Sequence, residues 1–426
     1  MKQIPRDRAF DDTLALLREG YGFISERCRR LNSDVFATRL MLRRVICLRG
    51  AAATEMFYGR DLMTRVGAMP STALRLLQDK GSVQLLDGAE HRRRKQMFLS
   101  ILLDMESIER LRDCFRDEWL DALREWERAD DVVLFDAVNL VLTRATSKWL
   151  GIPLEKNRKE LSRELAGMIE NAGSFGPRAW TALWRRRRTE RYVRNLVERV
   201  RADSLAMPDS SPLHAIASHL DIEGRPLSSS DAAVETINIM RPIVAIGRFI
   251  VFAAMALHEH PDWRDRFASG DESQLEAFIE EVRRFYPFFP FIGGRARESF
   301  EWNGFQFNRG DWILLDLYGT NHDPRSFPKP GNFEPGRDLS WTRYGYDFIP
   351  QGGGDPAKTH RCPGEAITVA LMMEAVRLLT RDMSYDVTAQ ELSIPLSRIP
   401  TLPRSGFRIT NVRNRPCQRS RSPCGA

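Results

Sequence analysis

Residues 228–261 read "SSSDAAVETINIMRPIVAIGRFIVFAAMALHEHP", the longest helical candidate in the chain. Serine oxygens in front can cap its free N–H groups, and Pro261 closes it. The middle of the run is apolar, yet Arg241 lies inside it with Pro242 directly after. A buried guanidinium costs several kcal/mol unless it is paired. Its neighbours one turn away are Ile237, Asn238, Val244 and Ala245, none acidic, and Glu235 is too far round the helix to serve. The compensating anion is therefore expected from outside the helix. A ligand carboxylate is the economical choice, because a guanidinium meets it with two parallel hydrogen bonds. Pro242 removes one helical hydrogen bond and is expected to kink the helix, opening room for that ligand. Two alternatives stay open: Arg241 reaches solvent, or Arg248, seven residues on and nearly on the same face, takes the carboxylate.

Helical periodicity dominates up to about residue 280. "DDTLALLREGYGFISERC" reads as one amphipathic helix, and "HRRRKQMFLSILL" and "SIERLRDCFRDEWLDALREWERA" as two more. "RRVICLRG" is more strand-like. After Pro287 short alternating runs with Asn-Gly and Arg-Gly turns predict small sheets. "WRRRRTERYVRNLVERVR" is a basic helix, either a solvated face or a membrane-surface contact. Residues 413–426 have no apolar period and read as a disordered basic tail, leaving 1–412 as one folded domain. No internal repeat is present.

The hydrophobic content of 42% over 426 residues suffices for a large core. A net charge of +7 from 64 basic and 57 acidic residues is too mild to favour a nucleic-acid partner. Cys28, Cys47, Cys114, Cys362, Cys417 and Cys424 are scattered without a framework spacing, which argues for a reducing, cytoplasmic setting. The N-terminus lacks a signal-peptide pattern, and no run reaches 18 uncharged apolar residues, so no membrane span is expected.

One loop carries the chemistry. "FIPQGGGDPAKTHRCPGE", Phe348 to Glu365, sets three glycines ahead of a single cysteine and a helical run, "EAITVALMMEAVRLLT". Gly352, Gly353 and Gly354 would let the backbone approach a large flat group, since no Cβ intervenes. Cys362, at a helix start and behind a basic pair, is placed to be a thiolate, and a lone thiolate suits the axial position of a haem iron. "EEVRRFYP" puts Glu281 and Arg284 on one helix face, and "NFEPGRD" supplies Arg337 as a third member of an ion network.

With these motifs in this order the chain resembles the cytochrome P450 family. The resemblance implies a mainly α fold, a large helical lobe with a smaller β-rich lobe and a haem b between them, with Cys362 on the iron. It also implies that the Glu281 network is structural. Two departures narrow the match: extra residues lengthen the loop before Cys362, and the long helix lacks the acid-alcohol pair that relays protons in ordinary members. Arg241-Pro242 with the long cysteine loop resembles the fatty-acid peroxygenase branch, as do "QIPRDRAFDDTLALLREGY", "EEVRRFYPFFPF", "LLDLYGTNHDP" and "LPRSGF".

That branch uses H2O2 and needs no reductase. By resemblance, the carboxylate of a long-chain fatty acid held at Arg241 replaces the missing acid, and hydroxylation falls at the α or β carbon. An Arg241 contact to a haem propionate is the competing role. Gln84 aligns with a position where decarboxylating members tend to carry His, so hydroxylation is favoured over release of terminal alkenes. Gln78 stands where relatives tend to have Phe, which would loosen the grip on the chain. Phe288 and Phe289 in "FFPF" are expected to line the pocket. Arg65, His91, Lys95, Arg295 and His360 are the candidates for the haem carboxylates, with Arg295 and the "HRRRK" helix supported best. Two other readings are a reductase-dependent monooxygenase and a haem protein that binds fatty acids without turnover.

Overall fold

Most of the periodic segments fold as helices. The computed structural model describes residues 2–153, 158–174, 176–337 and 345–415. The long helix is Ser229–Glu259, capped by the Ser228 hydroxyl, which accepts from the Asp231 N–H at 2.9 Å. It is apolar on all sides, and such a helix belongs in a core. It is the one described helix long and apolar enough to cross a membrane, and 94% of its most apolar window is buried inside the protein. Helices Leu134–Leu150, Arg158–Glu170, Pro177–Arg201 and Glu365–Arg377 pack around it. The helix runs without interruption through Pro242, so the proline frees the Asn238 carbonyl without ending the helix.

The N-terminal segment departs from the single expected helix. Thr13–Glu19 and Phe23–Arg30 are separate helices joined by the turn Gly20–Gly22. Gly20 has φ 53°, and a Cβ there would stand 2.0 Å from the Leu396 carbonyl oxygen, so close approach of another chain segment breaks the local period.

The smaller lobe holds a five-stranded sheet in the order Val35–Leu40, Arg43–Leu48, Trp312–Asp316, Phe291–Ala296, Met63–Thr64. Only the pairing of Arg43–Leu48 with Trp312–Asp316 is parallel. Phe300–Trp302 and Phe305–Phe307 form a hairpin on Asn303-Gly304, both at positive φ as a two-residue turn requires. Arg408–Asn414 lies between Val132–Val133 and Met383–Asp386. That strand carries ordered backbone two residues past the expected boundary at 412; residues 416–426, the rest of the expected tail, lie outside the described residues.

Two arginines tie the helix Leu275–Phe285 to the segments that lead into the cysteine loop. Glu281 accepts from Arg284 twice at 2.7 Å, as their spacing predicts, from Arg337, the expected third member, at 3.2 Å, and also from the Glu334 N–H at 2.8 Å. Arg284 also donates to the carbonyls of Asn321, Pro330 and Asn332. The neighbouring Arg283 reaches the loop itself, donating to the Gln351 side chain at 3.0 Å and pairing with Glu365.

Candidate active site

A cavity of about 310 Å³ lies between the lobes. One wall is the long helix, which presents Asn238, Arg241, Pro242, Ala245, Ile246 and Phe249 at helical spacing. Phe288, Phe289, Phe291 and Ile292 enter from the sheet side, and Phe288 stacks on Phe249 with ring centroids 4.3 Å apart. Cys362 and the loop around Gly352 face it from a third side. Lys95, His91 and Phe98 come from the helix Gly88–Leu102.

Arg241 is 5% exposed and enters no ion pair among the described residues. Its Nη1 donates to the Leu77 carbonyl, its Nη2 reaches Asn238 Oδ1 at 3.4 Å, and its buried Nε has no partner. Burial and the nearby Arg186 push its pKa down to about 9, against a small pull upward from Cys362. The carboxylates that might have served are engaged elsewhere. Glu235 pairs with Arg94 at 2.9 Å and accepts from the Val83 N–H at 2.7 Å. Arg248, the competitor, is paired with Glu170 and is absent from the cavity wall.

No Asp or Glu lines this cavity among the described residues, while Arg241, Arg361, Lys95, His91 and His360 do. Burial and the nearby Lys95 push His91 down to about 4, burial pushes Lys95 down to about 8 against an upward pull from Cys362 and Asp355, and burial with Arg65 and His91 close by lowers His360 strongly. The two imidazole rings lie 4.2 Å apart, and Lys95 Nζ is held on the Arg361 carbonyl at 2.9 Å and on that of Thr359. A wall of bases with no acid is fitted to receive anions.

Cys362 is at the N-terminal end of the helix Glu365–Arg377, and its N–H donates to the Gln351 carbonyl at 3.0 Å. The Gln351 amide approaches Sγ at 3.8 Å. Burial pushes the thiol up, while the Gly364 N–H, Lys95 and Arg283 pull it down. The expected flanking cation Arg361 turns instead to Glu365 at 2.7 Å. No group of three or more His, Cys, Asp or Glu side chains suited to a metal occurs among the described residues. An iron on Cys362 would therefore arrive already ligated by a macrocycle. A buried sulfur, a wall that carries bases and no acid, and an apolar chamber fit a haem with its two carboxylates.

The three glycines are needed for a different reason than expected. Only Gly352 borders the cavity. A Cβ on Gly353 would stand 2.7 Å from Thr54 Cγ2, and one on Gly354 2.9 Å from Thr359 Cγ2, so these two are small because protein packs on them. Arg295 also departs from expectation. It sits four residues past Phe291, about 13 Å along the strand. There its guanidinium is spent on the Gly67 and Gly310 carbonyls, away from the cavity. Arg65 lies one layer back, on the Gly293 carbonyl at 2.5 Å and against the rings of Phe57 and Tyr58; Tyr58 lines the cavity. Gln78 and Gln84 both reach it. Gln84 accepts from Asn238 at 3.4 Å, and the buried Gln78 Oε1 has no donor.

Three residues on this site escaped the sequence reading. Asn238 bridges Arg241, Gln84 and Glu235, and its signal was a lone amide one turn before the buried arginine. Gln351 sits directly ahead of the glycines, and Arg283 is the unassigned arginine of "EEVRRF".

A family model described as Cytochrome P450 matches residues 273–388, the stretch that holds Glu281, Arg284, Arg337 and Cys362. Cytochrome P450EX alpha (CYP152N1), solved with myristic acid, superposes with a TM-score of 0.93 at 39% identity, over 97% of this chain and 100% of that one. Cytochrome P450SP alpha (CYP152B1), in complex with (R)-ibuprofen, gives 0.92 at 42% identity over 95% and 99%. A variant of cytochrome P450 OleT in complex with arachidonic acid gives 0.93 at 31% identity over 97% and 99%. The buried cysteine, the Glu281 network and likeness over nearly the full length of both chains lead to one conclusion: this chain belongs to the cytochrome P450 family, in its CYP152 branch.

Proposed function

We propose that the protein hydroxylates long-chain fatty acids at the α or β carbon with H2O2 as oxidant and no reductase, with decarboxylation to terminal alkenes as a minor route. The observation that supports this most is Arg241, a buried guanidinium on the wall of an acid-free cavity with no carboxylate partner among the described residues. The fatty acids bound in two CYP152 relatives support the same substrate class.

A haem b ligated by Cys362 would supply the oxidising chemistry once bound. His91, Lys95 and His360 would hold its carboxylates, with Arg65 lending positive charge from behind Tyr58. Arg241 binds the substrate carboxylate through two N–H groups, exchanging the single carbonyl of Leu77 for a charged acceptor. With no acid on the wall, the carboxylate oxygen at Arg241 is the atom available to take up and return the proton when the peroxide bond breaks. The same contact anchors the first carbons of the chain, so oxidation falls at Cα or Cβ. Phe98, Phe249, Phe288 and Phe289 accept the alkyl tail and exclude water. Gln84 lacks the titratable proton of a histidine, which supports hydroxylation over decarboxylation. The unsatisfied Gln78 oxygen makes the grip on the chain looser than an aromatic ring would.

The test is product analysis by mass spectrometry after ferric holoprotein is mixed with H2O2 and a saturated long-chain acid, without reductase. A 2- or 3-hydroxy acid is expected. No product from protein with intact sulfur ligation of the haem would overturn the proposal.

A further inference from the structure

The basic helix Pro177–Arg201 contributes no residue to the cavity, yet its outer face is unlike the rest of the molecule. Two tryptophans are exposed among the described residues, Trp180 at 69% and Trp184 at 61%, and both stand on this face. Trp180, Trp184, Arg187 and Arg191 are spaced by four, three and four residues, which aligns them along one side of the helix. Arg178, Arg185, Arg187 and Arg191 are exposed and make no ion pair among the described residues. Two arginines on the same helix are engaged: the buried Arg186 lies between Glu190 at 2.7 Å and Asp79 at 3.4 Å, and Arg188 pairs with Glu160. The helix Ser71–Leu77 packs alongside, and Arg75 and Lys80 add two more unpaired cations. With Arg187 they line a surface cleft of about 250 Å³.

We propose that this face docks the protein peripherally on an anionic phospholipid bilayer. Indole rings favour the boundary between headgroups and acyl chains, and unpaired guanidinium groups beside them complement lipid phosphates. A solvated helix face explains the arginines but not two large aromatic side chains left in water one turn apart. The location adds a purpose. Arg75, Asp79 and Lys80 line the outer cleft while Leu77 and Gln78 line the inner cavity, so one chain segment separates the docking face from the substrate chamber. Docking would bring that segment to the phase in which fatty acids partition. The delivery step rests on the fatty-acid reading above; the docking itself does not.

The experiment is flotation of the holoprotein with vesicles of phosphatidylcholine alone, or of phosphatidylcholine with about 30% phosphatidylglycerol, at low and high salt. Binding is expected to the anionic vesicles only, and to weaken as salt rises. Arg187→Gln and Arg191→Gln should each cost about fivefold in partitioning, and Trp180→Ser with Trp184→Ser should abolish it. Hydroxylation of a fatty acid supplied in free solution should be unchanged in all these variants, so loss of docking is separable from failure of the catalytic reading. Haem absorption and melting temperature check that the variants are folded. The proposal is overturned by absence of binding to anionic vesicles, or by full binding in the tryptophan variant. It is also overturned if binding is lost instead in Leu14→Ser with Leu42→Ser, at the exposed apolar patch of the N-terminal segment. Concentration-dependent self-association that the tryptophan substitutions remove would make a second copy the occupant and overturn it equally.

Discussion

Replacing Arg241 by methionine should make the ligand-free holoprotein more stable while removing its hold on fatty acids. The pKa drop from 12.5 to about 9 corresponds to about 5 kcal/mol of disfavoured charge at neutral pH. The bonds to the Leu77 carbonyl and to Asn238 return about 3 kcal/mol. Methionine keeps most of the volume, so no large cavity opens, and the net gain is about 2 kcal/mol. A chain of 426 residues unfolds with an entropy near 0.9 kcal/mol/K, so the melting temperature should rise by about 2 °C. Saturated fatty acid at about 100 times its Kd should raise the wild type by about 2.7 kcal/mol, about 3 °C, and leave the variant unmoved. Scanning calorimetry with and without tetradecanoic acid reads both effects. The reasoning fails if the variant melts below the wild type without ligand, or if fatty acid stabilises both proteins equally.

Other substitutions test other parts of the structure. Glu281→Gln removes the counter-charge of the buried Arg284 and one of the two carboxylates beside Arg337, at a cost of about 3–5 kcal/mol, and should lower the melting temperature by about 4 °C with loss of haem content on purification. Asp316 is buried and accepts from the Ser25 hydroxyl and the Gly319 N–H; burial outweighs these bonds and pushes its pKa up to about 6. Its folded pKa lies above its unfolded value of 3.8, so its charge opposes folding above pH 6 and that penalty is relieved as pH falls from 6 towards 3.8. Denaturant titrations at pH 7 and pH 5 should show the wild type gaining about 1.3 kcal/mol relative to Asp316→Asn, and a constant gap would contradict the assignment. Gln84→His should raise the ratio of terminal alkene to hydroxy acid, measured by gas chromatography; an unchanged ratio removes that residue from the partition.

Much of the site could be read from covalent order alone, because its signals are short-range. Helical spacing put Glu281 and Arg284 on one face, and the structure pairs them at 2.7 Å. The apolar run around Arg241 meant burial, and the absence of an acid one turn away held true of the folded helix. A single cysteine ahead of a helix start was enough to mark the ligand loop. Each of these depends on neighbours within a few residues, where chain geometry leaves few options.

The choices between equivalent candidates needed the folded chain. Arg241 and Arg248 share a helix and nearly a face, and what separates them is Glu170, brought to Arg248 from a helix 78 residues earlier. Arg295 and Lys95 were alike as surface-type cations, but strand direction carries one away from the cavity and helix packing turns the other into it. Gly353 and Gly354 looked like a cradle for a cofactor, yet Thr54 and Thr359 are what their missing side chains make room for. Sequence by itself determined which residue types could do the chemistry. Tertiary structure decided which copies stand at the cavity, because a charge finds its partner only when separate elements converge, and that convergence is a property of the whole packed core.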